Sequence, residues 1–135
     1  MSVIVDTVIW SLALRRDASE QKLAIVTALQ SLIQTQQVAI FGAIRQEVLS
    51  GIRHQPQFDR LRDVMRGFPD LQLTCEDYEL AAEFFNTCRS RGVQGSNTDF
   101  LICAVAHRRS YQIFTSDRDF ENFQAHIPVI LIHPE

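Results

Sequence analysis

Five carboxylates carry the chemistry that this sequence suggests: Asp6, Glu47, Asp99, Asp117 and Asp119. Asp6 closes the apolar run Val3-Ile4-Val5, and Asp99 falls in the first turn of a helix opening near Ser96. Asp117 and Asp119 follow the strand-like stretch from Tyr111 to Ser116. Each has an ordinary role when taken alone. Asp6 can cap a helix, and Ser96 with Asp99 and Ser116 with Asp119 have the spacing of capping boxes. In an open α/β sheet, however, the loops at the carboxyl ends of the strands face one crevice, where ligands bind. Several carboxylates gathered there cannot all stay ionised without a counter-charge. Hard divalent cations take such oxygen ligands, and Mg²⁺ or Mn²⁺ keeps several waters and meets phosphate. The chemistry that follows is metal-assisted phosphodiester hydrolysis. Thr115 adds a hydroxyl able to orient a water or a phosphate oxygen.

Glu47 is the member that comes from a helix. It shares the arc marked by Ile44, Val48 and Gly51, which predicts a core-facing carboxylate in need of a partner. The partner is either an arginine, Arg45 or Arg53, or a metal shared with Asp6.

The elements that must position these groups alternate along the chain. A buried strand, Val3–Val5, leads through Asp6 into a short helix over Thr7–Leu14 closed by Arg15 and Arg16. Asp17 and Glu20 have capping-box form before a helix over about Ser19–Gln34, with Leu23, Val26, Leu29 and Ile33 as its apolar stripe. Val38–Phe41 is a second strand, and a helix from Gly42 runs to Ser50 and Gly51. Helices are predicted over Gln55–Phe68, from Thr74 (boxed with Asp77) to a C′ residue at Gly92, and from Ser96. The strand at Tyr111–Ser116, a short helix through Phe120 and Phe123, and a last strand at Val129–Ile132 complete the order. Strands that alternate with helices predict a parallel, helix-covered sheet of four or five strands.

At 135 residues, 46% hydrophobic and 21% charged, the chain suits one globular domain over residues 1–135. No apolar run nears the ~20 residues of a membrane helix. The chain opens directly on a strand without a basic leader, so the expected compartment is the cytoplasm. Cys75, Cys88 and Cys103 lack metal or disulfide spacing and are read as reduced thiols. The four histidines show no paired spacing, which argues against a His-rich zinc site. The net charge of −3 argues against nucleic acid as a partner, but the distribution softens that, because Lys22 is the only lysine and the arginines cluster at Arg15-Arg16, Arg89/Arg91 and Arg108-Arg109.

Val5-Asp6-Thr7, Arg45-Gln46-Glu47-Val48, Thr98-Asp99 with Ala104, and Thr115-Ser116-Asp117-Arg118-Asp119-Phe120 together resemble the PIN-domain nucleases. Size and order are most similar to the VapC-type toxins of bacterial toxin–antitoxin pairs. The resemblance spans Ile4 to Ile132. It implies a PIN-like three-layer α/β fold and a Mg²⁺- or Mn²⁺-dependent ribonuclease. Asp6, Glu47, Asp99 and Asp117 would form the acidic quartet, with Asp119 either a fifth ligand or a helix cap. It also implies a homodimer, and inhibition by a small cognate antitoxin that can reach the acidic site. Arg15, Arg16 and Arg118 are the candidate RNA contacts. One departure is Val8, where the family often has a small hydroxyl residue.

Four rivals share parts of this pattern. A receiver-type domain would want an acidic pair after the first strand and a lysine after the last. A haloacid-type phosphatase would want a second Asp where Val8 stands. The intact quartet argues against a catalytically silent PIN module, whereas a DNA-directed nuclease would keep every motif above, since nothing in the sequence reads a 2′-hydroxyl.

Overall fold

A computed structural model of the chain describes residues 2–13 and 19–133. Arg15, Arg16 and the Asp17 of the expected first capping box lie outside the described residues. The elements are β1 (Val3–Val5), α1 (Thr7–Ala13), α2 (Glu20–Gln34), β2 (Val38–Ala39), α3 (Gly42–Leu49), α4 (Gln55–Met65), α5 (Cys75–Ser90), α6 (Asn97–Arg109), β3 (Gln112–Phe114), α7 (Asp119–Gln124) and β4 (Leu131–Ile132).

β1 is buried along its whole length, as a β-branched run in the middle of a parallel sheet must be. The sheet has four strands in the order β2-β1-β3-β4, all parallel, and helices cover both faces in three layers. Register pairs Val5 with Phe114, so the residues that follow, Asp6 and Thr115, meet side by side. The strands are shorter than the apolar runs predict. Val38–Phe41 contributes Val38–Ala39, with Ile40 making an isolated bridge to Asp70.

Helix ends follow local chemistry. Ser19 caps α2, its hydroxyl accepting from the Lys22 N–H at 3.2 Å. The Thr74 N–H donates to Asp77 Oδ2 at 2.9 Å. Gly92 takes the left-handed φ of +75° expected of the residue that ends α5.

Two expected faces are different. The buried side of α2 is centred on Ile25 and Leu29, whereas Leu23 and Ile33 are exposed. The residues between them, Ala28 and Leu32, pack on the core, so the helix is rotated from the predicted stripe. The second difference is Glu47, which is exposed rather than core-facing. The predicted arc relied on Gly51, but α3 stops at Leu49 and Gly51 turns away with φ +85°. Ile44 and Val48 alone define the buried side, and Glu47 falls beyond its edge.

α5 and α6 form the most extensive helix pair, and a buried ion cluster pins its far end. Asp77 is fully buried on α5. Arg109 forks onto it, with Nη1 to Oδ1 at 2.8 Å and Nη2 to Oδ2 at 3.1 Å, and Arg108 Nη1 donates to Oδ1 at 2.7 Å. The Arg109 hydrogen bonds hold the Asp77 carboxyl well below the ordinary range, against its burial. The Arg108-Arg109 pair is therefore committed to holding the helices together.

Candidate carboxylate site

The site is built at the carboxyl ends of β1 and β3. Asp6 follows β1 directly, its N–H donating to Phe114 O at 3.0 Å across the sheet. Its side chain is 3% exposed. The Thr7 N–H donates to Asp6 Oδ1 at 2.7 Å, and Thr115 Oγ1 donates to Asp6 Oδ2 at 2.7 Å. Thr115 is itself fully buried and accepts from the Asp117 N–H at 3.0 Å. One hydroxyl thus joins Asp6 to the loop that carries Asp117. Because its proton is committed to Asp6, its place in the structure is that of a clamp on the two acids.

Asp99 reaches the site from the first turn of α6. Its N–H donates to Ser96 Oγ at 3.0 Å, and its Oδ2 accepts from the Ser96 N–H at 3.1 Å, the reciprocal pair that the S-x-x-D spacing predicts. Asp117 caps α7 by accepting the Asp119 N–H on Oδ1 at 2.9 Å. The expected Ser116–Asp119 box is thereby corrected: the cap comes from Asp117, because α7 starts at Asp119 rather than after Ser116. Asp119 and Arg118 are exposed at the rim beside it.

Electrostatics bind these groups into one set. Burial pushes the Asp6 carboxyl up to about 7, and the charges of Asp99 and Asp117 add to the rise. Burial also raises Asp99, and Asp117 and Glu47 push it further. Glu47, though exposed, is therefore close enough to feel the other acids. Of its two expected arginine partners, Arg45 is engaged elsewhere: its Nη2 donates to Asp70 Oδ1 and to Phe68 O, both at 2.9 Å. Beneath Asp99, one turn along α6, the buried Cys103 thiol is pushed well up by burial and by the carboxylates, so it stays protonated.

Several observations test whether these residues suit a divalent ion. The donor set is all carboxylate and hydroxyl, the ligand type of Mg²⁺ or Mn²⁺. Asp99 and Asp117 repel Asp6, and Asp117 and Glu47 repel Asp99, which a cation would relieve. The Thr7 hydroxyl, next to Asp6, is buried and has no hydrogen-bond partner among the described residues, a condition rare in native proteins. As placed, no three acidic, His or Cys side chains among the described residues close into a ready-made metal cluster. Mg²⁺ does not require one, since it is commonly held by one or two carboxylates together with waters and substrate phosphate. The residues fit the group.

The sequence matches the PIN domain family over residues 3–125. The chain belongs to the PIN-domain family. PIN domains are typically nucleases and generally use divalent metal ions. Among solved structures, this PIN domain is similar to VapBC2 from Rickettsia felis, solved bound to a DNA fragment from its promoter, at 16% identity over all of both chains with a TM-score of 0.78. It is also similar to FitAcB from Neisseria gonorrhoeae, at 20% identity over 98% of this chain and 97% of that one, with a TM-score of 0.76. A toxin–antitoxin complex from Klebsiella pneumoniae matches at 21% identity over 99% and 98%, with a TM-score of 0.69. At these identities the likeness is one of fold. A search of curated proteins gives no match.

An apolar groove of about 420 Å³ between α5 and α6 ends at Asn97 and Thr98, and so adjoins the site without including any of its acids. Sequence reasoning placed Thr115 beside the site but not its bond to Asp6, which depends on the β1–β3 register. The Thr-x-Asp spacing after a strand was the available signal. The clamp has a direct test. Thr115→Val should lower activity by roughly tenfold to a hundredfold, as expected when a group orienting a ligand is lost. Thr115→Ser should retain most of it. Equal losses in both variants would show that the hydroxyl is not what matters.

Proposed function

We propose that this PIN domain is a Mg²⁺- or Mn²⁺-dependent endoribonuclease that acts as the VapC-type toxin of a toxin–antitoxin pair. The observation that carries the reading is the convergence of acids at the ends of β1 and β3: Thr115 ties the buried Asp6 to the Asp117 loop, the charges of Asp99 and Asp117 bear on Asp6, and that of Glu47 bears on Asp99. Support for the biological setting comes from the fold neighbours, whose structures are of VapBC2, of FitAcB and of a toxin–antitoxin complex.

In this reading Asp6, Glu47, Asp99 and Asp117 hold the ion, with Asp119 as a further ligand. When bound, the ion supplies a water of lowered pKa and neutralises charge on the leaving oxygen. The chain's own residues do the positioning. Thr115 fixes the carboxylate plane of Asp6 and the backbone of Asp117 together. The Ser96 box fixes Asp99. Arg118, exposed at the rim, contacts the RNA backbone, as do Arg15 and Arg16, where a guanidinium can fork onto phosphate. The partners are RNA, a cognate antitoxin and a second copy of the chain, and the compartment is the cytoplasm.

The test is cleavage of structured RNA and of DNA side by side, with EDTA, Mg²⁺ or Mn²⁺. RNA cleavage that appears only with metal, and disappears in Asp99→Asn and Asp117→Asn, is the expected result. Metal-independent cleavage, or full activity in both variants, would overturn the reading. DNA cleaved as readily as RNA would overturn the substrate assignment alone.

A further inference from the structure

Two arms carry acids of the site: the start of α6 carries Asp99, and the segment before α7 carries Asp117. No hydrogen bond among the described residues joins the two carboxylates directly. What sets their separation lies underneath. Four aromatic rings form a continuous row across three helices. Phe85 of α5 meets Phe100 of α6 edge-on at 5.5 Å, Phe100 meets Phe123 of α7 at 4.7 Å, and Phe123 meets Phe120 at 5.2 Å. Phe100 follows Asp99 in sequence, and Phe120 follows Asp119. Phe100, Phe120 and Phe123 are each 1% exposed or less.

Gly95 sits on this row, one residue before the Ser96 cap. A Cβ at Gly95 would stand 2.5 Å from Phe123 Cζ, 3.0 Å from Phe123 Cε1 and 3.0 Å from Phe100 Cε2. Contacts that short are not tolerated, so glycine here serves close approach of the backbone to the rings. The Phe123 ring cannot swing aside cheaply, because Phe100 and Phe120 hold it on two sides in a packed interior. To admit a larger residue something must shift, and with the ring held by its neighbours the give falls on the 93–96 loop, which leads into Ser96 and Asp99.

We propose that Gly95 and Phe123 are positioning residues that set the distance between the Asp99 and Asp117 arms of the carboxylate site. The proposal rests on reading those acids as a metal centre, and it identifies the contact that keeps the two halves of that centre within reach of one ion. Gly95 touches neither metal nor substrate; it acts through the ring beneath it.

The experiment uses the full chain as wild type, Gly95→Ala, Phe123→Leu and the double variant. In the metal-free protein, ¹⁵N shifts of Ser96 and Asp119 are followed, since these N–H groups are bonded to the carboxylates of Asp99 and Asp117 respectively. Mn²⁺ alone is then titrated by calorimetry, with thermal melting alongside. Gly95→Ala should move both amide signals and weaken Mn²⁺ binding by about tenfold or more, the usual cost of disturbing what orients a ligand. The double variant, in which leucine removes the Phe123 Cζ and Cε1 atoms, should restore both readouts toward wild type even though the lost ring lowers its melting temperature. Wild-type amide signals and Mn²⁺ affinity in Gly95→Ala would overturn the proposal. So would a Gly95→Ala variant that unfolds or loses binding and is not rescued by Phe123→Leu, since that is the behaviour of a general packing defect. If the wild-type chain binds no Mn²⁺, the metal reading fails, and the amide signals still decide the positioning role.

Discussion

Asp6→Asn is expected to abolish RNA cleavage while making the metal-free protein more stable at neutral pH. The two effects share one cause. Asp6 is buried at the end of β1, and its carboxyl sits at about 7, well above its usual value of 3.8. A group whose folded pKa is raised above its unfolded one binds its proton more tightly when folded. The folded state is therefore favoured below the unfolded value. Stability then falls as pH rises from about 4 to about 7, and is flat above that. A shift of this size corresponds to a penalty on the order of 4 kcal/mol for the ionised form. Asparagine carries no charge and can still accept the Thr7 N–H; its Nδ2 must donate to Thr115 Oγ1 rather than accept from it, which offsets part of the gain but not the removal of the buried charge. We expect a melting temperature higher by roughly 5 °C or more at pH 7.5, and a much flatter stability profile between pH 4 and 7. Cleavage should drop by about 10³-fold, comparable to removing a preorganised charge-stabilising group. A variant that is less stable than wild type at pH 7.5 would refute the burial argument. One that retains cleavage would refute the role of Asp6 in the site.

Asp77→Ala is expected to cost the most stability of any single change considered, about 3–5 kcal/mol, without touching the chemistry. The substitution strands two arginine head groups that Asp77 holds at 2.7 and 2.8 Å. Arg109→Ala should cost nearly as much, because it leaves a fully buried carboxylate without its forked partner. The double variant should recover part of the loss, and urea unfolding of all three measures it. The acid side of the stability profile belongs to this cluster. Asp77 has a lowered folded pKa, so its contribution is present above the ordinary carboxylate value and is lost as pH falls below about 4. With Asp6 destabilising on the other side, the metal-free protein should be most stable in mildly acid solution. Cleavage per folded molecule should be unchanged in Asp77→Ala; a loss of activity in the folded fraction would mean that this cluster reaches the site.

The parts of the site that were legible in sequence are those set by local rules. An apolar β-branched run ending in Asp6, and a Ser-x-x-Asp spacing ahead of Phe100, declare a strand end and a helix start without knowledge of the fold. So does Thr115 with Asp117 after an apolar strand. The features that were not legible depend on elements distant in sequence. The exposure of Glu47 depends on where α3 stops. Arg108 and Arg109 look like free surface charge until α6 docks on α5, more than thirty residues away in sequence, and brings Asp77 against them. Gly95 reads as one more loop glycine until Phe123 lies beneath it. The α2 stripe was misjudged for a similar reason: several of its apolar residues could have faced inward, and the neighbouring helices chose among them.

The bond from Thr115 to Asp6 spans 109 positions of the chain. Parallel pairing over such a separation is slow to form, because the loop must close before any contact rewards it. During synthesis the β1 edge therefore waits for β3, and with it for Thr115 and Asp117. A growing chain that has not yet reached Gln112 lacks Thr115 for Asp6 Oδ2 and lacks Asp117, so the carboxylate centre is completed late. On the proposed reading as a ribonuclease, that timing would delay activity in the nascent chain until β3 has joined the sheet.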